Sequence, residues 1–321
     1  MDFTIDRFSS EIETVLQALD YPATAPGLYE PVKYTLASGG KRLRPVLTIA
    51  ACAALAHTDG TEAIHQALAV ELFHNFTLLH DDVMDNADVR RGRPTVHHRW
   101  GVNAAILSGD AMVSMAIEQL ATDAGAELAD LLKCFNTTAM EVYQGQQLDM
   151  EFEERKYVSV DEYLHMIGLK TSVLLGCACR LGAIRAKADE HTAQAMYDYG
   201  FALGMAFQLR DDWLDTFGDP AVFGKEIGGD IVNGKKTWLL IKAREVDEMR
   251  IQALYADSCM PQELIEKVSE IYRRHGLDEG CRRLAEDYAA RAKAIIATVD
   301  IDKRACDFFC SLADHACTRQ H

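Results

Sequence analysis

The sequence predicts an all-α protein, a single large helical bundle, on three observations. Only seven prolines occur in 321 residues, and none falls between Pro94 and Pro220. That interval is rich in Ala, Leu, Met, Glu and Gln, residues that lose little freedom on entering a helix. Alternating Val/Ile/Thr runs bounded by turn residues are missing, so no sheet is expected. Segments 61–86 and 190–217 are apolar around most of their circumference, the pattern of helices at the centre of a bundle.

In chain order, helices are expected over 4–19, 27–38, 45–57, 61–86, 101–122, 124–151, 160–167, 170–186, 190–217, 235–246, 261–275, 278–298 and 302–316. Gly39-Gly40 supplies a flexible turn, and Pro45 suits the first turn of the helix that follows. Lys170-Thr171 opens a helix after Gly168, and Cys177 and Cys179 sit in a small-residue apolar stretch of it that reads as packing. The connections are short and no Ser/Gly/Pro-rich linker divides the chain, so residues 1–321 read as one domain.

Hydrophobic residues make up 49% and charged residues 26%, which suits a soluble chain with a large core. No apolar run approaches the length of a membrane span, and the first residues lack a basic-then-apolar leader, so a cytoplasmic protein is expected. Nine cysteines without repeated Cys-x-x-Cys spacing indicate neither a disulfide framework nor a zinc site; Cys306, Cys310 and His315 are the weak exception. A formal net charge of −16 argues against nucleic acid and anionic membrane as partners.

Against that background two stretches echo each other. The apolar run from Leu72 to Leu79 ends in Asp81, Asp82 and Asp85, and the run from Phe201 to Leu209 is followed by Asp211, Asp212 and Asp215. On a helix, Asp81 and Asp85 share one face, as do Asp211 and Asp215. One such motif alone reads more readily as a solvated helix face than as a site. Two, each following a buried stretch, need a compensating charge, because carboxylates brought together raise one another's pKa. A hard divalent cation fits: magnesium takes one or two protein carboxylates and completes its shell with water and substrate phosphate. Two opposed pairs then suggest a clamp around a metal-bound phosphate.

Basic residues form a separate set. Lys41 and Arg44 flank the helix start after Gly39-Gly40, where the backbone already favours anions. Arg90 and Arg91 follow the first motif by five and six residues, and arginine grips phosphate bidentately. Lys225 and Lys235 bracket a glycine-rich loop that reads either as solvated or as a closing lid. Separate metal-binding and phosphate-binding sets suggest two phosphorylated groups.

With these residues in hand, the chain resembles the trans-type isoprenyl diphosphate synthases, specifically the short-chain geranylgeranyl and farnesyl diphosphate synthases. The resemblance runs from Gly39 to about Thr237. It covers Gly-Gly-Lys-Arg-Leu-Arg-Pro, both Asp motifs, Arg90-Arg91-Gly92, Gly145-Gln146, Lys170-Thr171 and the Gly-Lys and Gly-Asp pairs after the second motif. It implies an all-α isoprenoid synthase bundle with a central cavity, a homodimer, two or three Mg2+ ions, and condensation of isopentenyl diphosphate with dimethylallyl, geranyl or farnesyl diphosphate. Carried over residue by residue, Asp81, Asp85 and Asp211 correspond to direct metal ligands, supported by Asp82, Asp212 and Asp215. Lys41, Arg44, His74 and Arg91 correspond to the isopentenyl diphosphate site. Arg90, Lys170, Thr171, Gln208, Lys225 and Lys235 surround the allylic diphosphate.

Product length is read from the face of the helix below Asp81, where Thr77, Phe76 and Phe73 lie four, five and eight residues earlier. In the family, aromatics at both of the first two positions floor the pocket at fifteen carbons. Thr77 leaves that floor half open, so geranylgeranyl diphosphate is expected before farnesyl diphosphate. The C-terminal Cys317-Thr-Arg-Gln-His321 has little of the basic tail that some members fold over the second substrate. A class I terpene cyclase is disfavoured by the second Asp motif, and a non-catalytic partner subunit by retention of every motif.

Overall fold

A computed structural model describes residues 2–219, 227–257 and 260–319. The helices are α1 (Ile5–Gln17), α2 (Pro26–Leu36), α3 (Leu43–Ala56), α4 (Ile64–Met84), α5 (Val96–Trp100), α6 (Val102–Ala121), α7 (Leu128–Glu154), α8 (Val160–Ile167), α9 (Val173–Arg185), α10 (Glu190–Phe217), α11 (Gly229–Val232), α12 (Trp238–Ala256), α13 (Pro261–Arg274), α14 (Leu277–Ile296) and α15 (Lys303–Thr318). The all-α expectation holds. Among the described residues the exception is one short antiparallel ladder, Val89–Arg90 (β1) against Arg93–Pro94 (β2). Its two-residue turn has positive φ at both Arg91 (52°) and Gly92 (73°), as hairpin turns matching the strand twist require. Two-residue strands are too short to leave an alternating pattern that could announce them.

Three other details depart from expectation. Lys170 and Thr171 do not open a helix: Gly168–Ser172 is π-helical and joins α8 to α9 without a break. The resulting helical stretch Val160–Arg185, with a mean hydropathy of 1.4 over an 18-residue window, is long and apolar enough to cross a membrane by length and composition. Of its most apolar 18-residue window, 72% is buried inside the protein, as in a core helix. The helix expected to end at 246 continues to Ala256, but Asp247 (φ −151°, ψ 59°) interrupts it where the end was placed.

The described residues form two compact units. The first comprises residues up to Asn136, Cys177–Gln194 and Ile301–Ala305; the second comprises Thr137–Gly176, Ala195–Asp300 and the chain from Cys306 onward. In the first, α4 packs against α3 and α6. All residues from Gln66 to Phe73 are buried, as the apolar circumference predicted. A charged network centred on Arg42 lies in this core. Arg42, in a left-handed conformation just before α3, donates from Nη1 to Glu71 Oε1 (2.6 Å), from Nε to Glu13 Oε1 (2.6 Å) and from Nη2 to the Leu36 carbonyl (2.7 Å). Asn75 Nδ2 adds a bond to Glu71 Oε1 (2.8 Å). This fixes the start of α3 to the middle of α4.

In the second unit, α12, α13 and α14 pack on one another. Ser159 starts α8 with a capping box: its Oγ accepts from Glu162 N (3.2 Å) while Glu162 Oε2 accepts from Ser159 N (2.9 Å). Tyr199 on α10 donates to the Phe309 carbonyl of α15 (2.8 Å), tying the last helix to the one that carries the second Asp motif.

Replacing Arg42 by Met leaves Glu71 buried without its counter-charge. A loss of about 3 kcal/mol in stability is expected by urea denaturation, the usual cost of breaking a buried ion pair from one side.

Candidate functional site

The first Asp motif forms the C-terminal end of α4, and Asp85 caps it: Asp85 N donates to the Asp81 carbonyl (2.8 Å), so the two residues stand one turn apart. No basic residue occupies the last turn of α4. Three carboxylates therefore gather at the negative end of the helix dipole, where cations are favoured. One cation comes from the hairpin. Arg90 on β1 donates from Nε to Asp82 Oδ1 (2.6 Å) and from Nη2 to Asp81 Oδ2 (3.4 Å). Burial nevertheless holds the Asp82 carboxyl above its ordinary pKa, with Arg90 pulling the other way. Asp85 is exposed.

The hairpin turn sends the next arginine elsewhere. Arg91 donates to the Gly39 carbonyl. A Cβ at Gly40 (φ 138°) would lie 2.9 Å from Arg91 Nη2, so only glycine leaves the guanidinium its place there. Arg91 thus lies against the turn that leads into exposed Lys41. Two residues after Arg42, Arg44 donates from Nη1 to His74 Nε2 (3.1 Å). A guanidinium can only donate, so Nε2 is an acceptor and the imidazole is neutral. Burial and the adjoining Arg44, Arg91, Arg90 and Arg42 hold its pKa well below the usual histidine range. Of the cations assigned to isopentenyl diphosphate, Arg44 thus meets His74 on α4, while Arg91 lies against the Gly39-Gly40 turn. A cleft beside Arg91 is lined by Tyr34, Asn75, Leu78, Asp82 and Arg90 as well.

In the second unit, Asp211, Asp212 and Asp215 lie in the last two turns of α10, again with no basic residue in the final turn. Asp212 is 4% exposed; it accepts from the Tyr163 hydroxyl and from Gln208 Nε2 (2.9 Å). Burial, then the charge of Asp230, pushes its pKa far above the carboxylate norm against the pull of Lys235 and the two donors. Asp215 Oδ2 accepts from Asp230 N (2.9 Å) at the start of α11, and its carbonyl accepts from Gly228 N (2.6 Å). Asp215 thereby anchors the segment bearing Lys235, whose Nζ lies 3.8 Å from Asp230 Oδ1. Lys225 lies outside the described residues.

Lys170 and Thr171 are presented by the π-helical turn. Gly145 on α7 makes this possible, since a Cβ there would stand 2.2 Å from Lys170 N. One turn after Gly145, Asp149 Oδ2 receives Lys170 Nζ (2.6 Å), and Thr171 Oγ1 donates to Gln208 Oε1 (3.0 Å). The structure thus groups Lys170, Thr171, Gln208 and Asp212 within one unit. Sequence reasoning missed Asp149, Tyr163 and Arg319, the last paired with Asp211. Asp149 was findable, lying four residues from Gly145 on one helix face; Tyr163 and Arg319 carry no local signal.

Below Asp81, Phe76 is 7% and Phe73 1% exposed. Their rings stand 5.4 Å apart, and Phe73 meets Phe135 of α7 edge-on at 5.2 Å. Thr77 turns its hydroxyl back to the His74 carbonyl (2.8 Å) and adds no bulk.

Among the described residues no three acidic, histidine or cysteine side chains converge closely enough to hold a metal alone. This still fits magnesium, which takes few protein ligands; the donors are all carboxylate oxygens, and burial raises the pKa of two of them.

The polyprenyl synthetase family profile matches residues 25–273. The geranylgeranyl pyrophosphate synthase of Geoglobus acetivorans is 37% identical over 297 residues, 92% of each chain. A crystal structure of a geranylgeranyl pyrophosphate synthase superposes with a TM-score of 0.95 at 41% identity, covering 100% of both chains. A polyprenyl synthase from Caulobacter crescentus CB15, complexed with calcium and isoprenyl diphosphate, gives 0.86 at 30% identity over 99% of this chain and 98% of that one. The chain belongs to the polyprenyl synthetase family.

The depressed pKa of His74 sets a pH dependence. Below about 6.5 the unfolded histidine takes a proton that the folded one refuses, so stability present above that pH is lost on acidification. A His74→Gln variant should lack this component and gain about 1 kcal/mol on the native protein between pH 7.5 and 5.5, read from paired denaturation curves.

Proposed function

We propose that the protein is a prenyltransferase joining isopentenyl diphosphate to an allylic diphosphate, with geranylgeranyl diphosphate as product. The observation that carries this reading is the pair of aspartate clusters at the C-terminal ends of α4 and α10, neither with a basic residue in the last turn. Such ends attract cations, and separate arginine and lysine sets stand beside each. Family membership and the printed names of the relatives support the same reaction.

Asp81, Asp85 and Asp211 would hold two or three Mg2+ ions, with Asp82, Asp212 and Asp215 in support. When bound, the ions neutralise charge growing on the departing diphosphate. Arg90, Lys170, Thr171, Gln208, Lys225 and Lys235 bind and orient the allylic diphosphate, and their charges share that neutralisation. Lys41, Arg44, His74 and Arg91 grip isopentenyl diphosphate. Neutral His74 offers a hydrogen bond without adding charge, and keeps Arg44 aimed. The allylic C–O bond breaks, the isopentenyl double bond attacks the allylic carbon, and the proton then lost goes to the released diphosphate. Phe73 and Phe76 exclude water from the cation and limit chain growth; the small Thr77 leaves room for twenty carbons.

The whole chain acts as one catalytic domain in a homodimer. Exposed Val102, Ile106, Leu107 and Ile117 on α6 supply an apolar face for self-association. Free cysteines suit a cytoplasmic setting.

Incubation with labelled isopentenyl diphosphate, Mg2+ and each of dimethylallyl, geranyl and farnesyl diphosphate should give twenty-carbon product from all three primers. Product that stops at fifteen carbons would refute the open floor. Asp81→Ala or Asp211→Ala should cut kcat at least about 100-fold, the scale of one lost preorganised electrostatic contact, and near-normal rates would exclude the metal assignment. Phe76→Ala should shift the distribution beyond twenty carbons in the same chain-length assay.

A further inference from the structure

The last described residue, Arg319, is only 6% exposed although it follows the end of α15. Its Nη2 pairs with Asp211 Oδ1 and donates to the Phe207 carbonyl (3.1 Å), and its guanidinium carbon lies 3.6 Å over the centre of the Phe207 ring. Phe207 and Asp211 are one turn apart on α10, so a single flat guanidinium spans both. The Arg319 carbonyl in turn accepts from Arg210 Nε (3.1 Å) and Nη2 (2.9 Å), and its amide donates to the His315 carbonyl (3.0 Å). Backbone and side chain are therefore held independently, which distinguishes a fixed brace from a loosely seated tail charge.

We infer that Arg319 is a positioning residue for Asp211: it holds Oδ1 and so presents Oδ2 in one orientation. Resting on the proposed metal role of Asp211, this gives the C-terminal segment a part in metal binding that none of the sequence motifs assigns. A carboxylate fixed at one oxygen by an arginine loses no side-chain freedom when its other oxygen takes a ligand. The guanidinium is also bound to the Phe207 carbonyl and ring, so it keeps its place while Oδ2 is used.

The test is Mn2+ affinity of the full-length protein, measured by electron paramagnetic resonance of free Mn2+, for native, R319Q, R319K, D211A and R319Q/D211A forms. R319Q should raise Kd about tenfold, the weight of one hydrogen bond to a charged group, and R319K, the second variant should R319Q not fold, about threefold. The double variant should bind no worse than D211A alone, since Arg319 acts only through Asp211. An unchanged or lower Kd in R319Q and R319K would overturn the inference, a lower one showing that the guanidinium competes with the metal. Unchanged affinity in D211A would instead defeat the metal role of Asp211 itself.

Discussion

Negative charge at the wrong end of a helix is the constraint on which this molecule is built. α4 and α10 each close on three aspartates, where the backbone carbonyls already concentrate negative potential. A stable fold requires that this charge be met. Arg90 meets it in the first unit and Arg319 in the second, while Tyr163 and Gln208 hold Asp212 by hydrogen bonds. These partners take some carboxylate oxygens and orient the rest. The burial that lifts the pKa values of Asp82 and Asp212 is the same property that makes a hard cation welcome.

The supporting structure distributes the arginines with little chain. One two-residue turn sends Arg90 to the aspartates and Arg91 to the glycine turn before α3, so adjacent residues serve different groups. Asp215 works similarly from α10, binding the start of α11 through its carboxylate and so placing Lys235. The π-helical turn at Gly168–Ser172 adds a residue per turn and brings Lys170 against α7, where Gly145 leaves room for its backbone. Each device turns a local irregularity into a directed cation.

Most of the helices were legible in the sequence because their apolar circumference and proline spacing are local properties. The aspartate spacing, the glycine turn before Lys41 and the order of the basic motifs were legible for the same reason, since each works within one turn or one loop. The β1–β2 hairpin and the π-helical turn were not: two-residue strands leave no periodicity, and a π-turn has the composition of the α-helix around it.

What the sequence alone determined, then, is the set of groups available: all-α architecture, two carboxylate clusters, and separate sets of cations. Tertiary structure alone decided how they are used. Arg42, inside the same basic motif as Lys41 and Arg44, is spent on buried Glu71, while Asp149, Tyr163 and Arg319 come to Lys170, Asp212 and Asp211 from 21, 49 and 108 residues away. Charge pairing across such separations is fixed by which helices pack together. No local pattern encodes it, because a charged side chain is chemically the same whether its partner is a substrate or the core.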